Sequence, residues 1–395
     1  MSDEPDEFKL GKNSLSRLPA ELLGETFMLV CTGSLFGREN DDWNPYAAQH
    51  CLQLVAPRLG EFTIATFTSP YNALARMRFA FLHLRELRVS ILSDNTWTGP
   101  PVEFSSMIPG LRVLEIGPYA SLAQFRFPWA QLTSLILRGE LDDLPLDDPH
   151  AVMATLGQCI ALERAELVLR PFPDPNWTPG APAVLPHLSY LYLVFEDAEE
   201  PEIGASPAPL LTNLYLPALR ELTLCWSQIH VTFLPPALIF LARNGRALKF
   251  LEVLGTVLCT QDLDSVLEPA YATDVWEALK WDAKRRRVPQ LRAVTVDASG
   301  QHGRDCDLAL ENMLRSWWWP EAEDELPHEQ CKLQSLRMEH PKSKVCAEVS
   351  VSLDELKAQD LDLQIRGRVN ATMSAPEYCF HCQSEEEEFE EEEDE

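Results

Sequence analysis

Residues 84–89 read "LRELRV", and their spacing decides the fold: a leucine, two variable residues, an apolar residue, one variable residue and a second apolar residue. In a strand, successive side chains point to opposite faces, so this spacing gathers the apolar residues on one face. Copies of the pattern start at Leu59, Leu84, Leu111, Leu132, Leu162, Leu188, Leu219, Leu248, Leu291 and Leu333. One such strand cannot bury its apolar face alone, but stacked copies can.

The copies are spaced like leucine-rich repeats, which indicates a repeat architecture. Their starts lie roughly 21 to 31 residues apart as far as Leu248 and about 42 apart afterwards, which predicts insertions in the last repeats. Helices are predicted between strands, within "DPHAVMATLGQCIALERAEL" from Asp148 onwards, within "PPALIFLARNGRALKFLEV", and at residues 262–282 and 305–319. The sequence therefore predicts an α/β leucine-rich-repeat solenoid, with one strand and one helix per repeat.

The variable positions between the apolar ones are predicted to be exposed on a shared concave face that binds a protein substrate of unknown identity. They include Arg85, Glu86, Arg88, Arg112, Glu115, Tyr190, Tyr192, Arg220, Glu221 and Thr223. A surface of differing residues on a regular framework is typical of a protein-binding solenoid.

Charge and composition exclude several classes of partner. The formal net charge is −28, which disfavours binding to a nucleic-acid backbone or an anionic membrane surface. The apolar runs are too short for a membrane-spanning helix, and the polar start "MSDEPDEFKLGKN" predicts no secretory leader. Ten scattered cysteines then indicate reduced thiols and a cytoplasmic or nuclear location.

Residues 13–30, "NSLSRLPAELLGETFMLV", form a predicted amphipathic helix ahead of the repeats. Pro19 suits the first helical turn, and an apolar face follows at helical spacing. The residues of that face are Leu18, Leu22, Leu23, Phe27 and Val30. Such a helix either caps the open end of the first repeat or docks a partner.

The order "LPAELLGETF" resembles the start of an F-box, with Thr26 in place of the usual isoleucine. Together with the repeats and with "PWAQLTSLIL", the chain resembles the F-box/leucine-rich-repeat family of mushroom-forming fungi. About twenty residues carry the F-box resemblance; the arginine–tryptophan segment of its second half has no counterpart near Trp43. The resemblance implies a substrate-recruiting subunit of a Skp1-cullin-F-box ubiquitin ligase. It assigns Skp1 contacts to Leu18, Pro19, Leu22, Leu23 and Phe27. The alternative is a repeat scaffold without Skp1 binding, whose helix is a cap.

The predicted organisation has five parts: a disordered N-terminus at 1–12, the F-box-like segment at 13–45, about ten irregular repeats at 46–345, a C-terminal cap at 346–383 and an acidic disordered tail at 384–395. In the cap, "KVCAEVSVSLDELKAQDLDLQIRG" predicts a strand, a helical turn and a second strand.

Three short motifs have competing interpretations. Cys379 and Cys382 of "YCFHC" are an inert pair or a metal or redox site, and since a second ligand pair is lacking, no metal site is predicted. The basic run 284–287, "KRRR", is a helix end or a nuclear localisation patch. The run 316–319, "SWWW", is packed in the core or anchors a partner. The usual catalytic motifs, such as G-x-S-x-G and H-E-x-x-H, are not found, so the sequence predicts neither an enzyme nor a cofactor.

Overall fold

The structure is a computed structural model in which the described residues begin at Ala56. They are 56, 59–66, 80–91, 101–117, 120, 122–138, 149–169, 177, 181–195, 206–226, 234–255, 276, 279–280, 288–297, 304–318, 333–340 and 347–367. The chain divides into two compact units, Met1–Leu132 and Thr133–Glu395, and each is described by itself below.

The described residues form an α/β fold whose main parallel sheet has three strands in the first unit and eight in the second, and each unit also has one small two-stranded sheet. The strands are β1 (Glu61–Thr66), β2 (Glu86–Ile91), β3 (Val102–Glu103), β4 (Val113–Ile116), β5 (Phe125–Arg126), β6 (Ser134–Leu137), β7 (Arg164–Leu169), β8 (Ala183–Val184), β9 (Tyr190–Phe195), β10 (Leu214–Tyr215), β11 (Glu221–Trp226), β12 (Phe250–Gly255), β13 (Ala293–Asp297), β14 (Ser335–His340) and β15 (Asp362–Gly367). The helices are α1 (Pro149–Leu156), α2 (Ala208–Asn213), α3 (Leu234–Asn244), α4 (Arg304–Trp318) and α5 (Ala347–Lys357). Short 3-10 helices span Leu122–Gln124, Trp129–Gln131 and Gly245–Ala247.

The large sheet follows the sequence pattern directly. In the first unit the strand order is β1-β2-β4, and in the second it is β6-β7-β9-β11-β12-β13-β14-β15. Every predicted copy supplies one of these strands, which begins two residues after the first leucine of the copy. The predictions of an α/β class and of a strand at each copy are therefore confirmed.

The apolar positions of neighbouring copies lie side by side and are buried. In the first unit Leu87 pairs with Leu114 and Val89 with Ile116. In the second, Leu191 pairs with Leu222, which in turn pairs with Leu251. Burying one such leucine contributes about 1.5–3 kcal/mol. Because every strand has a parallel neighbour in register, these contributions repeat along the sheet.

The helices agree with three sequence predictions, and the one made within "PPALIFLARNGRALKFLEV" is α3. The helix predicted to follow Asp148 begins at Pro149, where the fixed φ of proline suits a first turn. The helix predicted at residues 305–319 is α4, and within it Trp317 is buried and its indole N–H donates to the carbonyl of Leu279 at 2.9 Å. Of the "SWWW" run, Trp317 therefore belongs to the core. None of the described helices has the length and apolar content that crossing a membrane requires.

One element of the predicted C-terminal cap is wrong. From Ala347 onwards, the segment predicted as its first strand lies in α5, whereas the second predicted strand forms as β15. The alternation "VSVS" suggests a strand, yet Val349 is fully buried whereas Val351 is 63% exposed. Burial instead recurs at Val349, Leu353 and Leu356, which is helical spacing. Packing of α5 on α4 and β15 decides between the two periods.

Candidate protein-binding face

The side chains that alternate with the buried ones form the candidate site on β7, β9, β11 and β12. Strand register places them in two rows, Arg164–Tyr190–Glu221–Phe250 and Glu166–Tyr192–Thr223–Glu252. These eight residues are called the tyrosine patch. Neighbouring strands in a sheet lie about 4.8 Å apart, so within each row the side chains on adjacent strands come within reach of one another.

Arg164 is held against the first tyrosine of the patch. Its guanidinium carbon lies 3.8 Å from the centre of the Tyr190 ring. The same guanidinium donates to Glu166 Oε1 from Nε at 3.0 Å and from Nη2 at 2.6 Å. One cation thus combines a cation–π contact with two charge-assisted hydrogen bonds, and all three interactions strengthen as water is excluded.

Both tyrosine rings are half-buried and surrounded by carboxylates. Burial first, and then the neighbouring Cys225, Tyr190, Glu252 and Glu166, raise the pKa of Tyr192 to about 12. The pKa of Tyr190 is also raised, first by burial and then by the charges of Glu166, Glu221 and Glu252, although Arg164 opposes this. Both phenols therefore stay neutral at physiological pH, and the patch offers aromatic surface in a negative field.

Thr223 was predicted to be exposed, and this prediction is wrong, since the residue is only 4% exposed. Its hydroxyl donates to Glu252 Oε2 at 3.0 Å. A threonine between larger neighbours on the adjacent strands is short enough to be covered by them. Its role in the patch is to orient the Glu252 carboxylate.

A third row, nearer the carboxyl ends of the strands, continues the patch with apolar residues. It runs Val168–Val194–Cys225–Leu254 in register. Val194 is buried and the other three are half-buried. Aromatic and apolar side chains with a polar rim are the usual composition of a protein-binding surface.

The corresponding face of the first unit is charged instead of aromatic. Arg88 donates to Glu86 Oε1 at 2.8 Å and lies 3.6 Å from Glu61 and 3.4 Å from Glu115. The hydrogen bond with Glu86 and the charges of the three carboxylates raise the pKa of Arg88. This arginine is exposed, as the sequence predicts, whereas Glu86 and Glu115 are half-buried.

The remaining arginines named from the sequence are exposed as predicted. They are Arg85 and Arg112 in the first unit and Arg220 in the second. Arg112 uses Nη1 to donate to the carbonyl of Gln131 at 2.7 Å, which links the start of β4 to a short 3-10 helix. The sequence missed Arg164, Glu166, Phe250 and Glu252 of the patch. Aligning the copies would have found them, because they occupy the same positions as Tyr190 and Tyr192.

Several sequence-predicted sites lie outside the described residues. They are the Skp1-binding set Leu18, Pro19, Leu22, Leu23 and Phe27, the basic run 284–287, and the pair Cys379 and Cys382. In the part of the chain that the structure describes, no group of three or more histidine, cysteine or acidic residues is arranged to hold a metal ion. Burial raises the pKa of the Cys159 thiol to about 12, so this thiol is not a nucleophile at neutral pH.

Models of known protein families give no match to this chain, and no curated protein matches it at a significant level. The geometry of the tyrosine patch is therefore the main basis for a function.

Proposed function

We propose that the chain is a leucine-rich-repeat solenoid that works as a protein-binding adaptor. The observation that carries this proposal is the tyrosine patch, where two half-buried aromatic rings lie side by side on the polar face of the sheet. Ordinary solvent-facing strand positions carry polar residues, whereas aromatic rings at the centre of a surface are typical binding anchors. The regular strands fix the positions of these anchors before a partner arrives, which lowers the cost of binding.

The adaptor part of the proposal rests on residues 13–30. Their "LPAELLGE" order supports a docking helix for a Skp1-like protein, contacted through Leu18, Pro19, Leu22, Leu23 and Phe27. The repeats would then select a substrate for a ubiquitin ligase in the cytoplasm or nucleus. The second candidate is an interaction scaffold that has lost Skp1 binding, whose N-terminal helix covers the first repeat.

Two double variants test the two binding functions independently. Leu22→Asp/Leu23→Asp places charge on the predicted Skp1 face, whereas Tyr190→Ser/Tyr192→Ser removes both tyrosine rings of the patch. Tyr215→Ser is the matched control, because Tyr215 is a 42% exposed tyrosine on the small sheet of β8 and β10. Each full-length protein is expressed with an affinity tag, bound proteins are identified by mass spectrometry, and each interaction is rebuilt from purified components.

The proposal predicts a crossed result. The leucine variant loses Skp1 and keeps the substrate, the tyrosine variant keeps Skp1 and loses the substrate, and Tyr215→Ser keeps both. If Skp1 is absent from the proteins bound to the wild-type chain, the adaptor hypothesis is refuted and the interaction scaffold is favoured. Equal capture of every protein by the wild-type chain and by the tyrosine variant would refute protein binding at the patch.

A further inference from the structure

The charges of the tyrosine patch are balanced on one side only. Beside β7, Arg164 neutralises Glu166. Beside β11 and β12, Glu221 and Glu252 have no ion-pair partner among the described residues, although Thr223 orients Glu252. The two carboxylates occupy diagonal positions on neighbouring strands, which places their backbones about 7–8 Å apart.

The basic residues nearest to these carboxylates do not compensate them. Arg220 and Lys249 precede β11 and β12 by one residue, and both side chains are exposed. Within the described part of the chain, neither forms an ion pair with Glu221 or Glu252. The carboxylates instead act on the aromatic rings, as the raised pKa of Tyr190 shows after the larger effect of burial.

Arg164 demonstrates which chemistry the patch binds. Its guanidinium lies on the Tyr190 ring and bonds Glu166, so an aromatic face and a carboxylate bind one cation together. On the opposite side of the tyrosines, Tyr192 with Glu252 and Glu221 offers the same combination without an internal cation. An incoming cationic side chain would gain a cation–π contact and two charge interactions there.

We propose that the tyrosine patch binds an extended, arginine- or lysine-bearing segment of a partner protein, with one cationic side chain against the Tyr192 ring beside Glu221 and Glu252. This inference rests on the proposed protein-binding function and names the chemistry of the partner. The net charge of −28 attracts such a segment from a distance. It also excludes the acidic tail 384–395 as the occupant, because that tail would bring like charge to the carboxylates.

The test uses the full chain and two fluorescent peptides that are identical except for charge. One has arginines separated by serine and glycine, and the other has citrulline in place of arginine. Fluorescence anisotropy should show the arginine peptide binding at least tenfold more tightly than the citrulline peptide. Glu221→Gln/Glu252→Gln should weaken arginine-peptide binding about tenfold, whereas Asp354→Asn/Glu355→Gln should weaken it less than twofold. The second pair removes the same charge from exposed positions on α5, so it controls for long-range attraction.

The aromatic ring is tested separately from the charges. Tyr192→Phe keeps the ring and should retain the arginine-peptide affinity, whereas Tyr192→Leu should weaken it about threefold to fivefold. Circular dichroism checks that each variant remains folded.

Three results would overturn the inference: equal binding of the two peptides, equal effects of the two acidic double variants, or arginine-peptide binding only after residues 284–287 are changed to glutamine. The last result would show that the chain's own residues 284–287 occupy the patch and compete with the peptide. None of these results contradicts the proposed protein binding, which is instead refuted if the Tyr190→Ser/Tyr192→Ser variant captures the same proteins as the wild type.

Discussion

Replacing Asn244 tests most directly how α3 is attached to β10 in the second unit. Asn244 is the last residue of α3, is only 2% exposed, and its side chain contacts the backbone at the end of β10. Its side-chain oxygen accepts from the Leu216 N–H at 2.7 Å, and its amide nitrogen donates to the Leu214 carbonyl at 3.3 Å. One buried amide thereby satisfies backbone groups on either side of Tyr215, at the end of β10.

The cost of replacing Asn244 by alanine follows from this geometry. The Leu216 N–H stays buried without its acceptor, which costs about 1–3 kcal/mol, and loss of the longer bond to Leu214 adds about 0.5–1 kcal/mol. We therefore expect Asn244→Ala to lower the free energy of unfolding of the second unit by about 2–3 kcal/mol. A loss of 2 kcal/mol corresponds to about 30-fold faster local exchange.

Two measurements check this expectation. Urea unfolding should show a lower midpoint with an unchanged slope, and hydrogen–deuterium exchange should show the Leu216 amide exchanging about 30-fold faster. Asn312→Ala is the matched control, because Asn312 is exposed on α4 and its replacement should change stability by no more than about 0.5 kcal/mol. The stabilising role of Asn244 is refuted if Asn244→Ala behaves like this control and the Leu216 amide keeps its protection.

Three further predictions concern other parts of the chain. The ring centre of Phe127 lies 5.0–5.3 Å from the ring centres of three other buried aromatic residues. Phe127→Ala should therefore lower the free energy of unfolding of the first unit by about 3–5 kcal/mol, measured by thermal unfolding. Arg126 is exposed, so Arg126→Ala should not lower it. Because the pKa of Tyr192 is raised from 10.0 to about 12, its contribution to stability is complete below pH 10 and is lost as the pH rises towards 12. In an ultraviolet titration of the tyrosines, the absorbance change that occurs near pH 12 should be smaller in Tyr192→Phe than in the wild type. An unchanged absorbance step near pH 12 would contradict the raised pKa of Tyr192. Asp360 has φ 72°, so Asp360→Gly should leave the urea midpoint unchanged or higher and Asp360→Val should cost about 1–2 kcal/mol; equal midpoints would contradict strain at this turn.

The strands could be predicted because one physical rule repeats along the chain. Each copy has a leucine before the strand and two apolar residues within it. The two apolar residues are two positions apart, which is the alternation of a strand, so the pattern of one copy is enough to predict a strand. The start of α1 at Pro149 could also be predicted from the sequence, because proline restricts φ whatever tertiary contacts form later.

The elements that sequence reasoning missed depend on neighbours distant in the chain. The "VSVS" alternation cannot distinguish a strand from a helix until α4 and β15 determine which of Val349 and Val351 is buried. Thr223 was expected to face solvent, but its burial depends on the size of Tyr192 and Glu252 on the adjacent strands. A pattern within one copy contains no information about either neighbour.

The candidate site was found in part for the same reason. Tyr190 and Tyr192 stand out within a single copy, "LSYLYL", because aromatic residues are unusual at alternating solvent-facing positions. Arg164 and Glu252 gain their significance only through strand register, which places them on either side of the tyrosines. Function at residues 13–30 stays a prediction from the sequence, since those residues lie outside the described part of the chain.

The most direct test of protein binding at the tyrosine patch is photo-crosslinking in cells. A photoreactive phenylalanine analogue is placed at position 192 of the full chain, or at position 215 as the control. Protein binding at the tyrosine patch predicts a discrete crosslinked protein from position 192, absent from position 215 and diminished by Glu221→Gln/Glu252→Gln. The absence of an adduct from position 192, or the same adducts from both positions, would contradict the claim that this face binds a protein.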